Sequence, residues 1–240
     1  MHNILNRLIE KINLAEMSAA PDHNIYLENI FEPAIYHEIL ARLPAENNYE
    51  FIKHPDAVLD DGTITRKLFS LSDDAAINQL NAEDQLFWQQ ISNVLTSKAL
   101  QQALVLKFQQ RIRERFGNQF PKMRSVPIFY RDYPGYRIGI HTDAPWKVLT
   151  MQFYFPKDDS QIHLGTSFHT RENNQFQLLK TNPFKPNSAY AFVRTEQSWH
   201  SVQQMASHEA ERNSLALTIF MEDNEEYQQA IRTTGEKNYL

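Results

Sequence analysis

Apolar residues recur at three- and four-residue steps through much of the first half of the chain and at two-residue steps through parts of the second. The first pattern puts side chains on one stripe of an α-helix, the second on one face of a strand. Near the start, Leu5, Leu8, Ile9 and Ile12 follow the helical step. The turn Asp60-Asp61-Gly62 leads into Ile64 to Leu71, which alternates enough for a strand. Asn81 with Asp84 three positions on is a helix-capping signal, continued by Leu86, Phe87, Ile91, Val94 and Leu95. Ser97 opens a further predicted helix through Leu100, Leu104, Phe108, Ile112 and Phe116, stopped by Gly117. Residues 1–120 therefore read as mainly helical.

After Pro121 aromatic and β-branched residues dominate, and turn signals fall at Pro134-Gly135, Pro156 to Asp159, Asn173-Asn174 and Pro183 to Asn187. Short strands between such turns predict a β-sandwich or barrel. The clearest is Val148 to Phe155, where Leu149, Met151, Phe153 and Phe155 face one way and Thr150, Gln152 and Tyr154 the other. One face suits packing, the other a polar cavity. Ala189 to Arg194 and Ser214 to Met221 are the next predicted strands.

Composition narrows the chemistry. The chain has 240 residues, 42% of them hydrophobic, enough for a single domain with a sizeable core. Cysteine is absent, so a metal site must be built from His, Asp and Glu. A net charge of -5 without basic runs argues against a nucleic-acid partner. No run of apolar residues has the length of a membrane span or the form of a secretion signal, so a cytoplasmic protein with no membrane association is expected.

His141-Thr142-Asp143 places an imidazole and a carboxylate on the same side of an extended segment, as two ligands of one ion require. His54-Pro55-Asp56 repeats the pattern, but a helical region follows it and no third histidine lies near. His141 and Asp143 instead have His200 downstream, after the strand-like run Ala189 to Arg194. Two histidines and one carboxylate on one side of an ion leave adjacent positions open, the ligand set of non-haem Fe(II) oxygenases. The competing interpretation is a core histidine satisfied by Asp143 and an unrelated His200. Arg212-Asn213-Ser214 opens the last strand; an arginine fork binds a carboxylate bidentately, and a hydroxyl two residues along can add a hydrogen bond. The competing partners for Arg212 are Glu209 and Glu211.

On these residues the stretch from Tyr130 to about Phe220 resembles the Fe(II)/2-oxoglutarate-dependent oxygenase superfamily, particularly its prolyl-hydroxylase-like branch. The resemblance implies an α+β fold: a double-stranded β-helix, or jelly-roll, core in the C-terminal half with the mainly helical N-terminal half packed on it, together one oxygenase domain over 1–240. It implies His141, Asp143 and His200 as the iron ligands and catalytic centre, with Arg212 and Ser214 on the far carboxylate of 2-oxoglutarate. Tyr133, in the Tyr133-Pro134-Gly135 segment, and Tyr154 are nominated beside that cosubstrate, and Gln152 less firmly. Fe(II), 2-oxoglutarate and O2 would then support hydroxylation of a small-molecule or amino-acid-like substrate, releasing succinate and CO2. Asp143 fits that outcome, because the family's halogenases carry a small residue at this position. Arg66, Arg131, Arg137, Trp146 and Lys147 could line the cavity mouth or be exposed loop residues. Two other readings fit the residues alone: a cupin-type metal enzyme that does not use 2-oxoglutarate, and a non-catalytic β-sandwich binding module.

Overall fold

The computed structural model describes residues 2–20, 23–52 and 54–234, the side chains of 233 and 234 excepted. In chain order the elements are α1 (His2–Leu14), β1 (Asn24–Glu28), α2 (Pro33–Ala41), β2 (Glu50–Phe51), β3 (Arg66–Ser70), α3 (Asp74–Ile77), α4 (Ala82–Leu95), α5 (Lys98–Lys107), α6 (Gln109–Phe116), β4 (Met123–Asp132), β5 (Ile138–His141), β6 (Lys147–Tyr154), β7 (Thr166–Glu172), β8 (Gln175–Thr181), β9 (Ser188–Val193), β10 (His200–Val202), β11 (Arg212–Met221) and α7 (Glu225–Thr234). The strands form a seven-stranded sheet in the order β1-β9-β6-β11-β4-β3-β2 and a four-stranded sheet in the order β5-β10-β7-β8. Neighbours are antiparallel throughout. Residues of both sheets line one cavity between them, which makes the core a jelly roll within an α+β fold.

The alternation in β6 determines which way the larger sheet faces. Leu149, Met151 and Phe153, with Leu215, Leu217 and Ile219 of neighbouring β11, join the core shared with Leu8, Ile12, Trp88, Ile91, Leu100 and Leu104 of the helices. At roughly 1.5–3 kcal/mol for each large apolar side chain removed from water, this outer face is what holds the helices on the sheet. Trp88 packs edge-on against Phe129 at 5.0 Å and donates its indole N–H to the Arg42 carbonyl at 2.8 Å, so the buried ring leaves no polar atom unsatisfied. Thr150, Gln152, Ala216 and Thr218, on the opposite face, line the cavity. The capping signals act as expected: Asn81 accepts from the Asp84 amide at 3.0 Å, and Ser97 from the Leu100 amide at 3.3 Å.

Two details depart from the sequence pattern. The helix expected from Ser97 to Phe116 bends at Phe108, whose φ of -104° and ψ of 15° leave the helical region. The bend seats Phe108 in the core and lets Lys107 donate to the Asn13 and Ala15 carbonyls. Asn24–Glu28 is a strand, too short for its alternation to register, and extends the larger sheet beyond β9. The N-terminal region thus supplies β1, β2 and β3 to that sheet as well as helices. No helix among the described residues is long and apolar enough to cross a membrane.

Candidate metal centre

β5 ends on His141 and β10 begins on His200, and the two residues are antiparallel partners across the smaller sheet. Their rings lie 4.2 Å apart between centroids, inclined at 49°. Asp143 follows His141 by two residues in the turn to β6 and brings its carboxylate back to the same place. One donor atom from each of the three lies within 4.8 Å of the others, the only such cluster of three or more His and acidic residues among the described residues.

The surroundings fix how each donor is presented. His141 Nδ1 lies 2.9 Å from the Gly139 carbonyl, and His200 Nδ1 lies 2.9 Å from the Ser198 carbonyl. A carbonyl only accepts, so in each ring the proton sits on Nδ1 and the Nε2 lone pair is left for a ligand. Burial pushes the His200 imidazolium down to about 4, helped by the neighbouring His141, so His200 stays neutral as a metal donor must be. Asp143 Oδ1 accepts from Lys147 Nζ at 2.7 Å and Oδ2 from Thr150 Oγ1 at 3.0 Å, which fixes the plane of the carboxylate. Burial raises the Asp143 carboxyl, but the Lys147 ammonium together with the neighbouring His200 and His141 outweighs it, and the net effect holds the acid well below the usual carboxylate range. The turn itself is tied down by Arg194 Nε donating to the Asp143 carbonyl at 3.1 Å and by Arg115 Nη1 donating to the Lys147 carbonyl at 2.7 Å. Two imidazoles that each turn Nε2 away from a carbonyl-bound Nδ1, and one ionised carboxylate, each oriented by a second hydrogen bond, fit a divalent cation of the borderline class.

The other sequence-nominated residues meet different fates. Arg212 is fully buried on the inner face of β11, directly across the strands from Asp132, and its Nη1 donates to Asp132 Oδ2 at 2.7 Å. Its Nε donates to the Leu164 carbonyl at 2.8 Å, and its Nη2 makes no hydrogen bond among the described residues. Neither Glu209 nor Glu211 holds it; Glu209 accepts from His163 instead, at 2.8 Å. The residues lining the cavity do not include Arg212 itself. Ser214 and Tyr154 belong to a continuous hydrogen-bonded chain. The Tyr154 hydroxyl donates to Thr166 Oγ1, which donates to Tyr190, which donates to Gln152 Oε1, and Gln152 Nε2 donates to Ser214. Tyr133 is not brought to the cavity. Its hydroxyl donates to Glu46 on the exposed side, and Tyr136, three residues on, is the tyrosine of that segment that lines it. The glycine at 135, with φ of +90°, provides the turn between the two.

Of the residues considered for the cavity mouth, Lys147 and Arg66 line the cavity. Arg131 lies on the outer face with Asn213, Glu46 and the Pro44 carbonyl. Sequence reasoning passed over Asp132, Tyr130, Tyr136, Thr166 and Tyr190. Only Tyr130 and Asp132 had a usable signal, their even-numbered positions in the run that leads to the metal strand. The long connection from His200 to Arg212 is held by Gln161 Nε2 donating to the Ala210 carbonyl and by backbone bonds between Met205 and the Gly135 and Tyr136 positions. These bonds fix where β11 starts. His54 and Asp56 sit on an exposed turn and join no such cluster among the described residues.

By sequence the chain matches no family model and no curated protein. Its structure is similar to that of a Trichoplax adhaerens prolyl hydroxylase in complex with a hypoxia-inducible-factor peptide fragment, at 14% identity over 92% of this chain and 90% of that one, with a TM-score of 0.51. A Pseudomonas putida prolyl-4-hydroxylase gives 14% identity over 90% of this chain and 98% of that one, also at 0.51. A non-haem α-ketoglutarate-dependent carbocyclase of nogalamycin biosynthesis gives 8% identity over 96% and 91%, at 0.51. What these enzymes share with the chain at such identities is the backbone architecture, and that architecture is the jelly-roll fold of the 2-oxoglutarate-dependent Fe(II) oxygenases.

Proposed function

We propose that the chain is an Fe(II)- and 2-oxoglutarate-dependent dioxygenase that hydroxylates its substrate with release of succinate and CO2, residues 1–240 acting as one catalytic unit. The observation that carries this reading is the set of three donors within 4.8 Å, on a fold shared with enzymes of that chemistry. His141, Asp143 and His200 would hold the iron on one side and leave neighbouring positions for cosubstrate and oxygen. Arg212 would hold the far carboxylate of 2-oxoglutarate. Its buried Nη2 makes no hydrogen bond among the described residues, and Tyr154 lies beside it, its ring centroid 5.5 Å from the guanidinium carbon. Bound together, iron and 2-oxoglutarate supply the activation of O2, and the protein's share is binding, orientation and exclusion of water. Asp143 keeps its ligand geometry through Lys147 and Thr150, and the closed chain from Tyr154 to Ser214 keeps the polar wall rigid.

Anaerobic titration with Fe(II), with and without 2-oxoglutarate, tests this. A visible charge-transfer band that needs both components is the expected result. Metal binding indifferent to 2-oxoglutarate would point instead to a cupin-type enzyme, and no metal binding to a non-catalytic module. Arg212→Met should raise the half-saturating 2-oxoglutarate concentration at least about tenfold, as loss of a hydrogen-bonded charge on a carboxylate does.

A further inference from the structure

The cavity has a second polar cluster, which shares Arg212 with the function proposed above and whose other members that function leaves unused. Arg66 of β3, Asp132 of β4 and Arg212 of β11 lie in one row across three adjacent strands. Arg66 holds Asp132 through Nε at 2.6 Å and Nη2 at 3.2 Å, while Arg212 takes the same carboxylate from the other side. Two guanidiniums therefore share one carboxylate, and one positive charge is uncompensated. Nearer the metal ligands, Lys147 and Asp143 cancel. A divalent iron and a doubly negative 2-oxoglutarate would also cancel, so the surplus persists in the loaded site. Asp56 is the further acid that acts on the cluster, through Tyr136, and it is exposed, where water screens it.

The Arg66 guanidinium carbon lies 4.2 Å from the centroid of the Tyr130 ring and 4.1 Å from that of Tyr136. Both rings are almost wholly buried, both line the cavity, and neither hydroxyl has a hydrogen-bond partner among the described residues. Burial drives both phenols up, so both hydroxyls stay protonated and remain donors. Buried donors without acceptors beside an unbalanced charge are what an anion site looks like before its anion arrives.

We infer that Arg66, Tyr130 and Tyr136 bind the carboxylate of the primary substrate, so that the molecule oxidised is a monocarboxylic acid. This rests on the function proposed above, because the charge balance assumes iron and 2-oxoglutarate in place. A single surplus charge matches a carboxylate better than a phosphate monoester, which carries closer to two. The position also separates this cluster from the cosubstrate anchor. Arg66 lines the cavity and Arg212 does not, and Asp132 stands between them.

The test uses full-length protein loaded anaerobically with Fe(II) and 2-oxoglutarate, with the charge-transfer band as readout. Hexanoate, benzoate, phenylacetate and N-acetyl-leucine are titrated, each beside its uncharged primary amide. Acids should perturb the band at concentrations at least about tenfold below those at which the amides do. Tyr130→Phe and Tyr136→Phe keep the rings and remove only the hydroxyls; each should raise the apparent Kd of the acids about tenfold, the factor for losing a hydrogen bond to a charge, with less than about threefold effect on 2-oxoglutarate. Arg66→Met should do more than either, and Arg66→Lys should recover part of the loss. Equal response to acids and amides, no response to any acid, or a loss that falls on 2-oxoglutarate would each overturn the inference while leaving the proposed function standing. Absence of the 2-oxoglutarate-dependent band in the wild type would remove both.

Discussion

The chain contains His-x-Asp twice, and the two copies have opposite surroundings. At His54-Pro55-Asp56 the segment is a short exposed turn, both side chains 46% accessible, and His54 Nδ1 accepts from the Asp56 amide at 3.2 Å. That lone pair is used within the turn. At His141 and His200 the Nδ1 atoms donate to carbonyls instead, and the free lone pairs converge on Asp143, whose side chain is only 5% accessible. The difference lies in what each imidazole is hydrogen-bonded to, which decides its tautomer, and in whether an antiparallel partner strand brings a third donor. A motif becomes a candidate metal site only when both conditions are met.

The sharpest way to break this comparison is to remove the carboxylate from each copy. Asp143→Ala should lower 2-oxoglutarate-dependent succinate formation by about a thousandfold or more, since losing even a partner of a metal ligand costs about ten- to a hundredfold. Asp56→Ala should stay within about twofold. Equal losses would refute the assignment of the metal strand.

Acid comes next in size. His200 titrates at about 4 in the fold because it is buried beside His141, whereas in the unfolded chain it takes its proton near the ordinary value of about 6.5. Between those two values the unfolded state binds a proton that the folded state refuses. Stability of the metal-free protein should therefore be level above about pH 6.5 and fall as pH drops towards 4, by up to about 3 kcal/mol. Thermal unfolding across this range, compared with His200→Gln, checks it; the variant should lose most of the slope.

Metal addition separates the two copies by a similar amount. Co(II), a redox-stable substitute for iron, at about a hundred times its Kd should stabilise the protein by about 2.7 kcal/mol, or several degrees in Tm. Asp56→Ala should keep that shift and Asp143→Ala should lose it. The smallest effect is expected at the supporting shell. Thr150→Val removes the hydrogen bond to Asp143 Oδ2 without changing side-chain shape and should raise the Kd for Fe(II) about tenfold, measured by competition with a chromogenic chelator. An unchanged Kd would mean that Lys147 alone orients the carboxylate.

Much of this was legible along the chain. The two-residue alternation of Leu149 to Phe155 showed which face packs and which lines the cavity, and Asn81 and Ser97 marked two helix starts, because these are local preferences carried by neighbouring residues. The candidate ligands His141, Asp143 and His200 could be nominated from spacing. Their convergence could not be read there, since it depends on the pairing of β5 with β10, nearly sixty residues apart.

The row Arg66, Asp132 and Arg212 was illegible for the same reason in stronger form. Arg212 could be nominated by its motif and Arg66 as a cavity-mouth residue, but Asp132 was passed over, and only the registers of β3 with β4 and β4 with β11 place the two arginines on its one carboxylate. Tyr133 and Tyr136 show the limit from the other side: a family-like tyrosine was visible in the sequence, but the turn at Gly135 decides which of the two faces inward. Periodicity and capping are short-range and belong to the sequence. Strand register, and with it the charge balance of the cavity, is a property of contacts between distant segments, and only the folded sheet determines it.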